Sequence, residues 1–458
     1  MNHSIIGTTV AAQTVLSRYR SGLYASFSRR SDALMNLNDA LVTDTGAQSF
    51  VELSQSPFFS RRWPSLYAAC EDGAVDVEAL RQLRVHHVRV RHAPLPRADS
   101  GKRLVLAGDA SSIARPSSPT ARDRTFVHQS NLPKGTKPVC PGWQFSFLVI
   151  PPDVLSSWVY TLDARRIESD KTPCQMMSEQ LACVFALLPK EPSAQERPLF
   201  LGDGGYGNVA FLTQTRPVPC DLLVRFAKNR VLYRPKPERP EKPGRGRPRE
   251  DGPRFSCQDV TTQGTADQQW SGQDENGKRI AVDCWHNLHF KEARELSLSV
   301  VRVTRYGAPD TKRQPRICWF VFSGENCPDL VDIPTLYGRR YCIEHGFRFK
   351  KQDLMWERTH FQTPERFALW TEMVCCAENQ LFLAQQQGLA KHQPWENKQR
   401  PVTPQQVRRG MNAILADLGT PARAAQTRGN SPGRAKGAKT TLAQRYPVIC
   451  KRQKEPLQ

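Results

Sequence analysis

Residues 1–98 carry hydrophobic positions at helical spacing. Leucine and valine recur at steps of three and four around 34–42 and again around 77–83. This period indicates helices with one buried face. Pro94 and Pro96 end the pattern, because proline is excluded from a helix interior. We therefore predict a helical N-terminal domain over 1–98.

After residue 98, short apolar runs that end at turn residues replace this pattern. Such runs indicate strands, and they are predicted over 103–107, 143–150, 158–162, 198–201 and 221–226. The first and fourth runs each lead into a Gly-Asp pair, with the acids at Asp109 and Asp203. Both aspartates are therefore predicted at strand ends.

Helices are predicted between the later strands. Thr172, Pro173 and Gln175 have the spacing of a capping box with proline in the first turn, and a shorter helix is predicted around 208–213. The early strands are close enough to pair as hairpins, whereas the later ones need helical crossovers. The order favours an α/β fold with a mixed sheet flanked by helices.

The second half of the chain contains two basic segments. Six prolines between 230 and 254 exclude that stretch from a helix or a central strand, so it is predicted to be a tether. Two more strands are predicted over 297–304 and 317–322, and a long helix over 335–354. The last 68 residues, 391–458, hold fourteen Lys/Arg against three acids, and indicate a basic arm with a flexible stretch.

The overall charge narrows the class of partner. The formal net charge is +21 and the pI about 9.7, a surplus typical of proteins that bind phosphates; a ribosome-like or simply basic protein is the alternative. No apolar run approaches the ~20 residues of a membrane span, and no secretory signal is evident. Thirteen cysteines without a Cys-x-x-Cys pair favour reduced thiols in a cytosol over a zinc ribbon or a disulfide framework.

The predicted helix over 335–354 places four polar side chains on one stripe. At ~100° per residue they fall within an arc of ~60°; they are Tyr337, Arg340, Glu344 and Lys351. A carboxylate flanked by two cations and a phenol suits a phosphodiester. A solvated helix face with ion pairs between neighbouring turns is the alternative.

Three carboxylates in this arrangement suggest a metal site. Asp109, Asp203 and Glu344 would supply only oxygen ligands, which hard divalent cations prefer, and would converge on two Mg²⁺ ions ~3.5–4 Å apart. Strand-end aspartates are also common as turn formers or helix caps. For either aspartate considered alone, a role as a turn former or helix cap remains the alternative.

The order of elements and the Asp–Asp–Glu set resemble the ribonuclease H-like catalytic core of DDE transposases. The helix matches the Y-x2-R-x3-E-x6-K signature of an insertion-sequence group at all four positions. Asp203-Gly204-Gly205-Tyr206 also resembles the Asp-x-Gly-Tyr pattern around that group's second acid. The resemblance covers residues 100–390.

The resemblance implies a transposase that cuts DNA at the ends of its own mobile element and joins them to target DNA. The catalytic residues and ligands of two Mg²⁺ ions, with Mn²⁺ as a substitute, would be Asp109, Asp203 and Glu344. The residues that hold DNA phosphates would be Tyr337, Arg340 and Lys351. Its partners would be double-stranded DNA, namely the terminal inverted repeats and the target, and a second copy as a homodimer on DNA. The setting would be the nucleoid in a prokaryotic cytoplasm.

The resemblance also implies a division of the chain. The catalytic core would occupy 99–230 and 326–390, interrupted by a β-rich insertion over 231–325, where Trp270, Trp285 and Trp319 are candidates to stack on a flipped base. Arg245 and Arg247 in the tether resemble the core of an AT-hook, with nonspecific phosphate binding as the alternative. A binding-only descendant and a stand-alone nuclease remain rival functions.

Overall fold

The computed structural model describes most of the chain. The described residues are 2–89, 97–98, 103–129, 138–153, 156–188, 197–236, 249–274, 277–307, 310–311, 315–426, 435–439 and 441–451. Side chains are described from Thr14 onward, except at 89, 97 and 98. Arg245 and Arg247 lie outside the described residues, so the AT-hook interpretation stays a prediction.

The N-terminal part is helical, as its period predicts. The helices are α1 (Asn2–Ser26), α2 (Ser31–Thr43), α3 (Phe50–Leu53), α4 (Trp63–Asp72) and α5 (Val77–Arg89). A two-stranded antiparallel ladder of β1 (Phe27–Arg29) and β2 (Ala74–Val75) lies among them. Residues 33–43 of α2 are all buried, because this helix is enclosed by its neighbours and not only half-covered.

The first strands of the main sheet are longer than the sequence pattern indicates. They are β3 (Arg97–Ala98), β4 (Arg103–Ala114), β5 (Thr125–His128), β6 (Val139–Ile150) and β7 (Tyr160–Ile167). The prediction that Asp109 ends a strand is wrong, because β4 continues five residues past it in an antiparallel ladder with β6. Asp109 therefore stands in the middle of β4, opposite Phe147.

The crossover region matches its prediction closely. It contains α6 (Pro173–Leu187), β8 (Leu199–Gly202), α7 (Val209–Thr215) and β9 (Asp221–Phe226). The capping box of Thr172 and Gln175 is present at the start of α6. β8 runs parallel to both β4 and β9, which is the pairing that helical crossovers permit. Asp203 directly follows β8, so its predicted place at a strand end is confirmed.

The next strands are antiparallel. They are β10 (Val231–Tyr233), β11 (Arg254–Ser256), β12 (Gln268–Gln273), β13 (Arg279–Phe290), β14 (Ala293–Arg305) and β15 (Ile317–Ser323). Within the described residues, thirteen strands form one sheet in the order β11-β10-β13-β14-β15-β9-β8-β4-β6-β5, with β12 on β13, β3 on β4 and β7 on β6. The predicted mixed sheet flanked by helices is confirmed.

The long helix predicted over 335–354 is two helices. The C-terminal helices are α8 (Ile333–Arg339), α9 (Cys342–Gln352), α10 (Pro364–Ala384) and α11 (Pro404–Leu418). Around the junction the amides of Arg340 and Tyr341 bond to carbonyls three residues earlier, at Tyr337 and Gly338. This tighter turn interrupts the α-helical ladder. The prediction of one continuous helix is therefore wrong, and α8 and α9 have separate axes.

Helix α10 joins the sheet to the N-terminal helices. Nearly all of its residues are buried, as expected for a helix covered on every side. Its two buried glutamates have charged partners, Arg84 for Glu372 and Lys350 for Glu378. Helix α11 buries Arg408 beside α2. None of the described helices is both long and apolar enough to cross a membrane.

Candidate active site

The registers of four adjacent strands place polar residues in one row across the sheet. Ala107 lies beside Leu201, and Gly202 lies beside Val224. When the first register is continued by two residues and the second by one, Asp109, Asp203 and Arg225 stand side by side, with neighbouring strands about 4.8 Å apart. Arg225 in turn pairs with Phe320 on β15. We refer to Asp109, Asp203, Arg225 and Phe320 as the lateral row.

Helices α8 and α9 lie along this row. At one end the ring of Tyr337, on α8, packs 4.5 Å from that of Phe320. At the other end the ring of Phe347, on α9, packs 5.1 Å from that of Phe147, the partner of Asp109 across the β4–β6 ladder. The junction between the two helices therefore lies over the acidic part of the row.

Arg340 at this junction reaches Asp109 directly. Its Nη2 donates to Asp109 Oδ2 at 2.6 Å, and the side chains are 11% and 21% exposed. Burial raises the pKa of Asp109 to about 6; Arg340 opposes this rise, and the carboxylates of Asp203 and Glu344 add to it. Asp203 and Glu344 thus both lie close enough to Asp109 to act on it electrostatically, with Arg340 in direct contact.

The remaining predicted side chains lie around this cluster at different distances. Glu344 is exposed in the first turn of α9, and its carboxylate has no hydrogen bond or ion pair with the described residues. Burial raises the pKa of Tyr337 to about 12, and Arg340 and Arg225 oppose the rise; its ring packs on Phe320, at the end of the row. Lys351 lies farther away: it donates to Ser112 O at 3.2 Å and pairs with Glu357 at 2.5 Å.

Lys351 is accordingly separated from the acids. Ser112 stands three residues past Asp109 on β4, which is about 10 Å along a strand. The structure therefore brings Asp109, Asp203, Glu344 and Arg340 together with Tyr337 at their edge. It places Lys351 two turns further along α9 than Glu344, because seven residues of α-helix rise about 10 Å.

The three carboxylates supply the oxygen ligands of a divalent-cation site, but their side chains do not form a complete metal-binding cluster. In the described part of the chain, no three His, Cys, Asp or Glu side chains are grouped closely enough to hold a metal ion. The oxygens nevertheless suit a hard cation. Burial, together with the carboxylates of Asp203 and Glu344, raises the pKa of Asp109, and a bound cation would offset these effects. In this structure Arg340 is the cation in contact with that carboxylate.

Two residues of the site are not marked as functional by the sequence pattern alone. Arg225 is half-buried beside Asp203, and its guanidinium has no ion pair or hydrogen bond among the described residues. An arginine inside an apolar strand, Leu222 to Phe226, is the signal that would have identified it. Tyr206 belongs to the Asp-x-Gly-Tyr pattern but has no predicted role; its amide donates to the Asp203 carbonyl at 3.2 Å, and its buried hydroxyl has no hydrogen-bond partner among the described residues.

The tryptophans of the insertion differ in exposure. Trp285 and Trp319 are 1% and 5% exposed, and Arg302 stacks on both, at 5.2 and 5.7 Å from their ring centroids. Asp283 holds Arg302 with an ion pair of 2.9 Å. Both rings are therefore core residues as placed, whereas Trp270 on β12 is half-buried.

Comparison with known proteins agrees with this geometry. No curated protein matches the sequence. A family model described as DDE superfamily endonuclease matches residues 22–285, more than half of the chain. The match includes Asp109 and Asp203 and ends before Glu344. The large mixed sheet flanked by helices is consistent with the ribonuclease H-like fold of DDE enzymes. The chain belongs to the DDE superfamily endonuclease family.

Proposed function

We propose that the protein is a cut-and-paste DNA transposase of the insertion-sequence group with the Y-R-E-K signature. The observation that carries the proposal is the ion pair of Arg340 with Asp109, at a place where the carboxylates of Asp203 and Glu344 also act electrostatically on Asp109. The family match supports an endonuclease. The signature, which lies beyond the matched residues, supports the finer assignment to this group.

Asp109, Asp203 and Glu344 would hold two Mg²⁺ ions, or Mn²⁺ in their place. Bound divalent cations would supply Lewis-acid stabilisation of the charge that develops on a phosphodiester. The chain's own residues hold and orient the DNA. Tyr337 and Arg340 present a phenol and a guanidinium beside the acids, where phosphate oxygens of the cleaved strand would lie. Lys351 would hold a phosphate further along α9, beside Ser112.

The chemistry consists of two phosphoryl-transfer steps. In cleavage, water bonds to phosphorus at the element boundary as the bond to the 3′-oxygen breaks, which leaves a 3′-hydroxyl on the element. In strand transfer, that 3′-oxygen bonds to a phosphorus of the target as a target P–O3′ bond breaks. A homodimer on the DNA would hold both ends of the element while this occurs.

The basic segments would provide binding outside the site. Residues 391–458 carry a surplus of positive charge, and such a surplus contributes sequence-independent, salt-sensitive affinity. The helical N-terminal part would bind the terminal repeats, and Arg245 and Arg247 would bind a minor groove. Such a protein would act on the nucleoid in a prokaryotic cytoplasm.

The test is cleavage of labelled DNA carrying the element ends, with and without Mg²⁺. Wild type would nick at the element boundary only with the metal, and Asp109→Ala would remove nicking while end binding persists. Asp170→Ala, in the exposed turn before α6, is the matched control and should cut like wild type. Cleavage without joining of ends would favour a stand-alone nuclease. End binding without cleavage by wild type would favour a binding-only descendant.

A further inference from the structure

Trp395 is the most exposed tryptophan of the chain. Its side chain is 81% exposed, whereas six of the other eight tryptophans are buried. It lies on the loop 388–403, which precedes α11, and it takes no part in the hydrophobic core. Because tryptophan has the largest apolar surface to bury, its exposure at this place is the first indication of a contact with a partner.

The turn that carries Trp395 is tied to α11 through the next residue. Both carboxylate oxygens of Glu396 accept from Arg409 Nη1, at 2.9 Å. One of these oxygens also accepts Gln406 Nε2 at 3.0 Å and the amide of Gln393 at 2.9 Å. The hydrogen bonds from Arg409 lower the pKa of Glu396 to about 2, so the carboxylate is charged at neutral pH. A turn held in this way presents the indole already in place, which lowers the entropic cost of binding.

The loop around the indole carries positive charge that no acid neutralises. Lys391, Lys398 and Arg400 are exposed and have no ion pair among the described residues. The one acid of the loop is Glu396, which is already paired. Lysine is depleted in interfaces between proteins, whereas cations placed around an aromatic ring are typical of surfaces that bind a nucleic-acid strand. The charge therefore favours DNA as the partner of this loop.

One connection in the fold links this loop to the candidate active site. Trp158, on the connection between β6 and β7, donates from Nε1 to Val402 O of the loop at 2.6 Å. Asp153 on the same connection pairs with Arg339 of α8 at 3.1 Å. The loop thus lies next to the helices of the candidate site, and DNA held at that site would pass beside it.

We propose that Trp395 stacks on an unpaired base of DNA, while Lys391, Lys398 and Arg400 contact the neighbouring phosphates. This inference rests on the proposed function only in taking DNA as the substrate. Inside an intact duplex the neighbouring pairs cover both faces of each base, so a ring on a turn can stack only where a strand is open, as at a cut end. Stacking of this kind tolerates any base, because every base has a π-face.

The test measures binding of a labelled single-stranded oligonucleotide to the full chain by fluorescence anisotropy. Trp395→Ala should bind about tenfold more weakly with an unchanged salt slope, and Trp395→Phe should retain most of the affinity. Lys398→Ala should lower the slope by about 0.7 unit, as for one phosphate of a single strand. Phe126→Ala is the matched control, because this ring is 53% exposed on β5, and it should bind like wild type. An oligonucleotide of abasic nucleotides keeps the phosphates without bases, so wild type and Trp395→Ala should bind it equally.

Each other outcome has a definite meaning. Equal affinity of wild type and Trp395→Ala for the single strand overturns this inference alone. An equal loss on the abasic strand shows that the ring supports the loop and not a base, and a loss confined to duplex DNA excludes an unpaired base; both overturn it. A changed oligomeric state of Trp395→Ala in light scattering, with unchanged DNA affinity, would assign the ring to a protein contact instead. If the wild type binds no DNA, the proposed function fails first.

Discussion

Removing Lys350 should expose how the glutamate-bearing helix is held in place. Lys350, on α9, pairs with Glu378 on α10 at 2.6 Å, and both side chains are 1% exposed. Glu378 also accepts Thr161 Oγ1 at 3.1 Å, and Lys350 lies 5.4 Å from the centroid of the Phe147 ring. In Lys350→Met the buried Glu378 carboxylate keeps Thr161 as a donor but loses its ion pair. We therefore expect the free energy of unfolding to fall by about 3–5 kcal/mol at pH 8.

The loss should depend on pH in a specific direction. Burial raises the pKa of Glu378, and Lys350 opposes this rise, so the variant should have the higher folded-state pKa. A group whose pKa is higher in the folded than in the unfolded chain contributes stability that is present at low pH and is lost as pH rises through the folded value. The deficit of Lys350→Met relative to wild type should therefore shrink from pH 8 to pH 5.

Urea unfolding followed by tryptophan fluorescence at both pH values measures this deficit. Lys350→Met/Glu378→Gln should recover much of the loss, because no buried charge remains unpaired. Arg122→Met is the control, since its ion pair with Glu365 has side chains 54% and 60% exposed and such pairs contribute at most about 1 kcal/mol. A loss below about 1 kcal/mol for Lys350→Met, or a deficit that is equal at pH 5 and pH 8, would refute the reasoning.

Three further predictions concern DNA. Glu344→Gln should abolish cleavage and retain end binding, as measured by nicking and gel shift; nicking at the wild-type rate would remove Glu344 from the catalytic set. Arg225→Ala should weaken binding of pre-cleaved ends and lower the salt slope by about one unit, as for one phosphate contact, whereas an unchanged slope would place no phosphate on it. Truncation after residue 418 should weaken binding to all sequences and flatten its salt dependence, and an equal slope would exclude the arm from the DNA surface.

Much of the fold could be predicted because its signals are local. Pro-terminated apolar runs, the capping box at Thr172 and the strand at 221–226 depend on residues near one another in the chain, and each is found as expected. The spacing that relates Glu344 to Tyr337, Arg340 and Lys351 is also local, and it was sufficient to suggest the candidate site.

Two predictions from the sequence, the end of β4 at Asp109 and the single helix over 335–354, are wrong because of contacts between distant segments. β4 extends past Asp109 because β6, about forty residues later, offers a partner as far as Ala114. The break between α8 and α9 arises where the chain passes over the acidic cluster, with Phe320 anchoring one helix and Phe147 the other. Neither anchor can be recognised from the residues around the break.

The sequence by itself determined the types of element, the candidate acids and the basic surplus, because propensity, periodicity and charge are carried by neighbouring residues. Only the tertiary structure decided which side chains meet. The parallel register of β4, β8 and β9 aligns Asp109 with Asp203 and adds Arg225, and the burial of Arg340 brings its guanidinium onto Asp109. Register and burial depend on contacts between segments that are distant in the chain. Which residues lie in the lateral row is therefore determined only when the sheet forms.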